Sequence, residues 1–86
     1  MKTNRIGKFE LDSDYIRNEP ELIAKVFAIM EFIPVRAEFM FAGNKMKYLG
    51  YSCLFDDILD CQIPPRYAIA IDNSPNIFNV EATRLD

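Results

Sequence analysis

The alternation of apolar and polar residues predicts five strands and one helix in this chain. Apolar side chains at every second position, bounded by turn-forming residues, are typical of a strand with one buried face. In the first such segment Phe9 and Leu11 fall on one side, while Ile6, Lys8 and Glu10 fall on the other. The strands are expected at residues 6–11, 35–42, 45–52, 66–71 and 77–85.

The helix is expected between Glu19 and Phe32. Asn18 precedes it as the predicted N-cap, and Glu21 three residues later gives a capping-box pattern. Pro20 lies in the first turn, where a missing N–H costs nothing, and Pro34 disfavours helical geometry in the residue before it. The apolar residues with helical spacing are Leu22, Ile23, Val26, Phe27, Ile29, Met30 and Ile33.

Turn residues join the remaining strands. Gly43 and Asn44 both tolerate a positive φ and predict a hairpin turn. Gly50 within a strand indicates a bulge or a close approach of another backbone. Residues 54–60 are expected to be a short helical turn or an irregular excursion. The order β-α-β-β-β-β predicts one small α+β domain over residues 1–86, with one helix packed on a mostly antiparallel sheet of four to five strands.

Composition limits the classes of function. The 86 residues include 13 acidic and 10 basic ones, and the net charge of −3 argues against a nucleic-acid binder. No leader pattern opens the chain and no apolar run is long enough to cross a membrane. We therefore expect a cytoplasmic protein whose two cysteines, Cys53 and Cys61, stay free, although a bridge between them is left open.

The absence of histidine excludes several kinds of chemistry. A Ser-His or Cys-His nucleophile cannot form without it, and two cysteines with no histidine cannot supply a closed zinc site. The aspartate clusters at 12–14 and 56–60 are more typical of caps and turns than of metal sites, so no metal or cofactor is expected. Glu38 could act as a buried general acid or base, but a solvent-facing position opposite Lys45 or Lys47 is favoured. Enzymatic activity is thus the least favoured reading.

Two sets of residues are candidates for binding. The first could hold a small molecule or a nucleotide by aromatic stacking and positive charge; it comprises Arg36, Phe39, Phe41, Tyr48, Tyr51 and Arg66. The second lies in an ordered connection between strands, where binding sites often occur, and could contact a protein partner; it comprises Leu54, Phe55, Asp56, Asp57 and Tyr67.

An apparent excess of apolar surface suggests association. Phe39 and Phe41 fall on one side of the predicted hairpin, and Met40, Leu49 and Tyr51 fall on the other. One helix cannot cover both sides, so either another subunit or residues 53–66 must cover the second. The leading hypothesis is a non-enzymatic binding or inhibitory protein, homo-oligomeric, that occupies a partner protein or ligand. The alternatives are a module that sequesters a small molecule or nucleotide and a small carboxylate-dependent enzyme.

Overall fold

The computed structural model describes residues 2–86 and confirms the α+β class with antiparallel pairing. Two helices and seven strands are formed over these residues. The helices are Ser13–Asn18 (α1) and Pro20–Met30 (α2). The strands are Thr3–Asn4 (β1), Ile6–Asp12 (β2), Ile33–Met40 (β3), Lys45–Tyr51 (β4), Ile58–Leu59 (β5), Tyr67–Ser74 (β6) and Ile77–Arg84 (β7).

The strands form three antiparallel sheets instead of one continuous sheet. The largest has the order β2-β4-β3, the hairpin β6-β7 forms a second, and the short strands β1 and β5 form the third. A single parallel bridge between Lys8 and Arg66 joins β2 to the start of β6, where the Lys8 N–H donates to the Pro65 carbonyl at 2.9 Å. Because only this bridge pairs it with β2, the C-terminal hairpin is not a continuation of the main sheet and packs over one face of it.

The start of the helical region differs from the prediction. Asp12 caps α1 by accepting from the backbone N–H of Asp14 at 2.9 Å, and this short helix then runs to Asn18. Asn18 is thus the last residue of α1 and not the N-cap of the main helix, because Glu19 occupies the position before α2. The main helix begins at Pro20 after Glu19, whose side chain makes no capping hydrogen bond.

The core lies between one face of β2 and β4, helix α2 and the C-terminal hairpin. Phe9 is at its centre, with its ring stacked on Tyr48 at 5.3 Å and edge-on to Phe32 at 5.0 Å. Helix α2 contributes Ile23, Val26 and Met30, and the hairpin contributes Tyr67 and Val80. The cover over this face is therefore a helix together with a hairpin, and not the helix alone.

Residues 53–60 also belong to the core side. The Phe55 ring stacks on Tyr67 at 4.3 Å and packs edge-on to Phe9 at 6.2 Å. Gly7, which shares the face of Phe9, leaves room for both rings, because a Cβ there would come within 2.6 Å of Tyr67. The alternative in which residues 53–66 cover the opposite face of the sheet is therefore wrong.

The hairpin between β3 and β4 turns over four residues, 41–44, and not two. Gly43 and Asn44 adopt positive φ values of 85° and 52°, as predicted. The Asn44 N–H donates to the Phe41 carbonyl at 3.3 Å, which closes the turn one residue after the end of β3. Phe41 and Ala42 are consequently outside the ladder.

Gly50 marks a close approach of the chain leaving α2. A Cβ at this position would lie 2.6 Å from the ring of Phe32 and against the carbonyl oxygen of Ile33. We expect Gly50→Ala to lower the free energy of unfolding by about 2–4 kcal/mol, because backbone and ring must both shift. Urea unfolding measures this. Gly43→Asn is the control, with a loss below about 1 kcal/mol, and a similarly small loss for Gly50→Ala would contradict the packing described.

Candidate functional site

Strand β3 is the most exposed strand of the main sheet. Among residues 2–86 its only ladder partner is β4, so its other side is an open edge. Seven of its eight residues are exposed and the last, Met40, is half-buried. We call β3 together with Phe41 the β3 edge.

The cover over the sheet does not reach this strand. Phe32 is buried at the end of the connection from α2, and Ile33 immediately after it is 63% exposed. Beyond a bulge between Pro34 and Arg36, Ala37 lies opposite Tyr48 in the ladder. Tyr48 is buried among core rings, whereas Ala37 on the same face is exposed. Helix α2 and the hairpin therefore cover β2 and β4 and leave β3 outside.

Large apolar side chains on the β3 edge face solvent. Phe41 is 92% exposed and packs edge-on against Phe39, which is 40% exposed, at a ring distance of 5.0 Å. Ile33 and Val35 are exposed by more than half. An open strand that also carries exposed apolar groups is a surface on which a second polypeptide can be held.

Two charged residues lie in the middle of the β3 edge. The guanidinium of Arg36 is 3.7 Å from the carboxylate of Glu38, and both side chains are more than half exposed. Across the ladder Glu38 lies opposite Lys47, so it occupies the solvent-facing position expected as the alternative to a buried acid or base. Here the β3 edge has a cation and an anion separated by a single residue.

The face of the sheet opposite the core is mostly charged. The strand positions there include Lys8, Glu10, Lys45 and Lys47 beside the half-buried Leu49. Met40, Leu49 and Tyr51 lie on this face as predicted, but the alternation of β2 and β4 places charged residues among them. The most exposed apolar side chain, that of Phe41, is at the edge of the sheet.

A groove of about 430 Å³ lies where this charged face meets the hairpin. Its basic residues are Lys8, Lys45, Lys47 and Arg66, and Glu10 also lines it. Arg66 donates to the Asp86 carboxylate from its Nε at 3.1 Å and from its terminal nitrogen at 3.0 Å. These hydrogen bonds lower the pKa of Asp86 and raise that of Arg66. The groove combines positive charge with apolar lining from Ile69 and Leu85.

No family model, curated protein or solved structure matches the chain. None of the helices described is both long and apolar enough to cross a bilayer. Within residues 2–86, acidic and cysteine side chains form no group of three or more that could hold a metal ion.

The structure separates the residues proposed for ligand binding. Phe39 and Phe41 are together on the β3 edge, and Arg36 is beside them on the strand. Tyr48 is buried in the core, and Tyr51 is partly exposed at the far end of β4. Arg66 lies apart from these, in the basic groove. The six residues therefore do not form one stacking site.

The residues proposed for partner binding divide in the same way. Phe55 and Tyr67 are buried in the core, where the Tyr67 hydroxyl accepts from the Asp56 N–H at 2.9 Å, and Leu54 packs against them. Asp56 and Asp57 are exposed. They pair with Arg84 at 3.7 Å and Arg5 at 3.4 Å, respectively.

Sequence reasoning did not single out Ile33, Val35 and Glu38 as part of one binding surface, or Lys8, Lys45 and Lys47 as part of one groove. Apolar residues at 33, 35, 37, 39 and 41 were a visible signal for the first. Their significance depended on β3 being the outer strand, which alternation does not reveal, because each strand of a hairpin shows the same pattern.

The Cys53 thiol lies beside the C-terminal end of α2, with Sγ 3.3 Å from the Met30 carbonyl. Desolvation raises its pKa, and the hydrogen bond and negative charge of Glu31 raise the pKa further. The nucleophilic thiolate is therefore scarce at neutral pH. We expect iodoacetamide to alkylate Cys53 more slowly than Cys61 at pH 7.5, and Glu31→Gln to accelerate Cys53 alone. Peptide mass spectrometry reads both rates, and faster labelling of Cys53 would contradict the environment described.

Proposed function

We propose that this protein is a non-enzymatic binding protein that acts by pairing its β3 edge with a strand of another polypeptide. The observation that carries the proposal is an open strand whose apolar side chains are exposed beside unpaired backbone groups. By occupying its partner in this way, the protein would inhibit or sequester it. The free thiols of Cys53 and Cys61 suit a reducing cytoplasm as the place of action.

An added strand would form hydrogen bonds with the free backbone groups of this edge and would bury its apolar side chains. Alternate N–H and C=O groups of an edge strand point away from the sheet and can bond to an added strand. Burying a side chain such as Phe41 or Val35 is worth about 1.5–3 kcal/mol relative to full exposure. Edges are usually protected from such pairing by charge, proline or a bulge. Here Pro34 and the bulge protect the beginning of β3, and its two charged residues, Arg36 and Glu38, have opposite signs and can be paired by a partner strand of complementary charge.

Strand addition at this edge should be blocked by a lysine within it. We expect Val35→Lys, which adds charge to a residue already 56% exposed, to abolish capture of partners and to leave the thermal midpoint within about 3 °C. Ile77→Lys is the matched control, because Ile77 is 61% exposed on β7. The measurement is affinity purification from the expressing cell, followed by titration of each purified partner. Equal binding by wild-type protein and Val35→Lys would overturn the proposal.

The basic groove favours a second candidate function, the binding of a small anionic ligand such as a nucleotide. Three lysines and Arg66 line one groove that also has apolar walls, in a chain whose net charge is −3. Positive charge would attract phosphates, and the apolar wall would contact a base. Arg66 would have to exchange the Asp86 carboxylate for the ligand.

Nucleotide binding in the groove should stabilise the fold. A ligand present at 100 times its Kd adds about 2.7 kcal/mol, which would raise the thermal midpoint by several degrees. Lys47→Ala should reduce this shift, whereas Lys25→Ala on α2 should retain it. Thermal unfolding with a panel of nucleoside mono- and triphosphates measures the effect. Unchanged midpoints across the panel at about 5 mM would exclude this function.

A further inference from the structure

The sequence of β3 is complementary to itself when two copies run antiparallel. Arg36 and Glu38 flank Ala37 symmetrically. In an antiparallel pair centred on Ala37, Arg36 lies opposite Glu38 of the partner subunit, and the reverse pair forms by symmetry. Directly opposed side chains share a face of the sheet, about 4.5–5.5 Å apart at Cβ, so two ion pairs cross the junction.

The regular part of the register is short. The bulge between Pro34 and Arg36 leaves Val35 as an extra residue and places Ile33 on the face of Tyr51, whereas Phe39 is on the face of Met46. Beyond the ion pairs, Val35 in the bulge comes near Phe39 of the partner subunit, and both side chains are exposed in the single chain. Pro34 donates no N–H, so the ladder is strongest between Arg36 and Glu38.

Neighbouring registers are less favourable. Centring the pair on Glu38 places two carboxylates directly opposite each other, and centring it on Arg36 places two guanidinium groups opposite each other. Like charges in such positions destabilise a ladder. Within one chain the Arg36 guanidinium and the Glu38 carboxylate are 3.7 Å apart and solvent-exposed, so their interaction is weak. Both groups can therefore pair with charges of a second strand instead.

We propose that the partner of the β3 edge is a second copy of this chain, joined by an antiparallel β3–β3 ladder centred on Ala37. This inference rests on the function proposed above and adds the partner's identity and the register. Because one ladder uses the β3 edge of both copies, the assembly closes as a two-fold symmetric dimer. Its central sheet has the strand order β2-β4-β3-β3-β4-β2.

Charge reversal tests the register. Arg36→Glu places two pairs of carboxylates across the junction, and Glu38→Arg places two pairs of guanidinium groups there. Each variant alone should dimerise about tenfold or more weakly than wild-type protein. An equimolar mixture of the two restores both ion pairs in the heterodimer, as does the double variant R36E/E38R in its homodimer. Both should return to within about threefold of the wild-type Kd. Sedimentation equilibrium measures each constant.

The controls separate dimerisation from folding. Glu81→Arg makes the same charge reversal on the exposed face of β7 and should leave the dimer unchanged. Thermal unfolding of each variant alone, and of the equimolar mixture of R36E and E38R, shows whether loss of the dimer reflects loss of the fold. Restored association in the mixture of R36E and E38R excludes that explanation, since two misfolded chains would not repair each other.

The outcomes distinguish this inference from the broader proposal. A wild-type chain that stays monomeric at about 0.5 mM overturns the dimer, and so does a dimer indifferent to both charge reversals. If the chain is monomeric but Val35→Lys abolishes binding of a purified foreign protein, the occupant is another strand and the proposed function stands. If Val35→Lys changes neither self-association nor foreign binding, both proposals fail.

Discussion

Helix α2 and the hairpin β6-β7 cover only two of the three strands of the main sheet, β2 and β4. The third strand, β3, is therefore left exposed. Helix α2 and the hairpin β6-β7 meet over Phe9 and Tyr48, where aromatic rings fill the space between the layers. Hydrogen bonds to β4 hold β3 in the sheet, but nothing in residues 2–86 packs on it as the helix packs on β2 and β4. A strand tied only through its backbone keeps its side chains and outer edge available.

This arrangement follows from how the chain divides its apolar residues. Residues 54–60 and the hairpin carry Phe55, Tyr67 and Val80 to the same core as α2, so one face of the sheet receives several covers. The opposite face carries lysines and glutamates and is compatible with water. The apolar side chains of β3 lie beyond the covers and are exposed along the edge, and the basic groove beside Arg66 is a separate surface.

Much of the fold could be predicted from local sequence signals, and the tertiary arrangement could not. The alternation around Phe9 placed β2 with the correct face inward, and Gly50 correctly indicated a close backbone approach. The helix cap was misplaced because the sequence analysis did not predict α1: Asn18 is the last residue of that short helix, so Glu19 is the residue before α2. Strand order, the packing of the hairpin over the sheet and the burial of Phe55 depend on contacts between distant segments, which no periodicity encodes. For the same reason the sequence indicated surplus apolar side chains on both sides of the hairpin, but not that β3 is an open edge beyond the covers.

Hydrogen exchange of the β3 amides tests most directly whether this edge is an interface. An open edge leaves alternate amides of β3 bonded only to water, whereas an added strand protects them. Spectra recorded between about 10 µM and 1 mM should show protection of the outward amides of residues 35–39 that grows with protein concentration, while the amides of β7 stay constant. Outward β3 amides that exchange equally fast across this range would contradict the account.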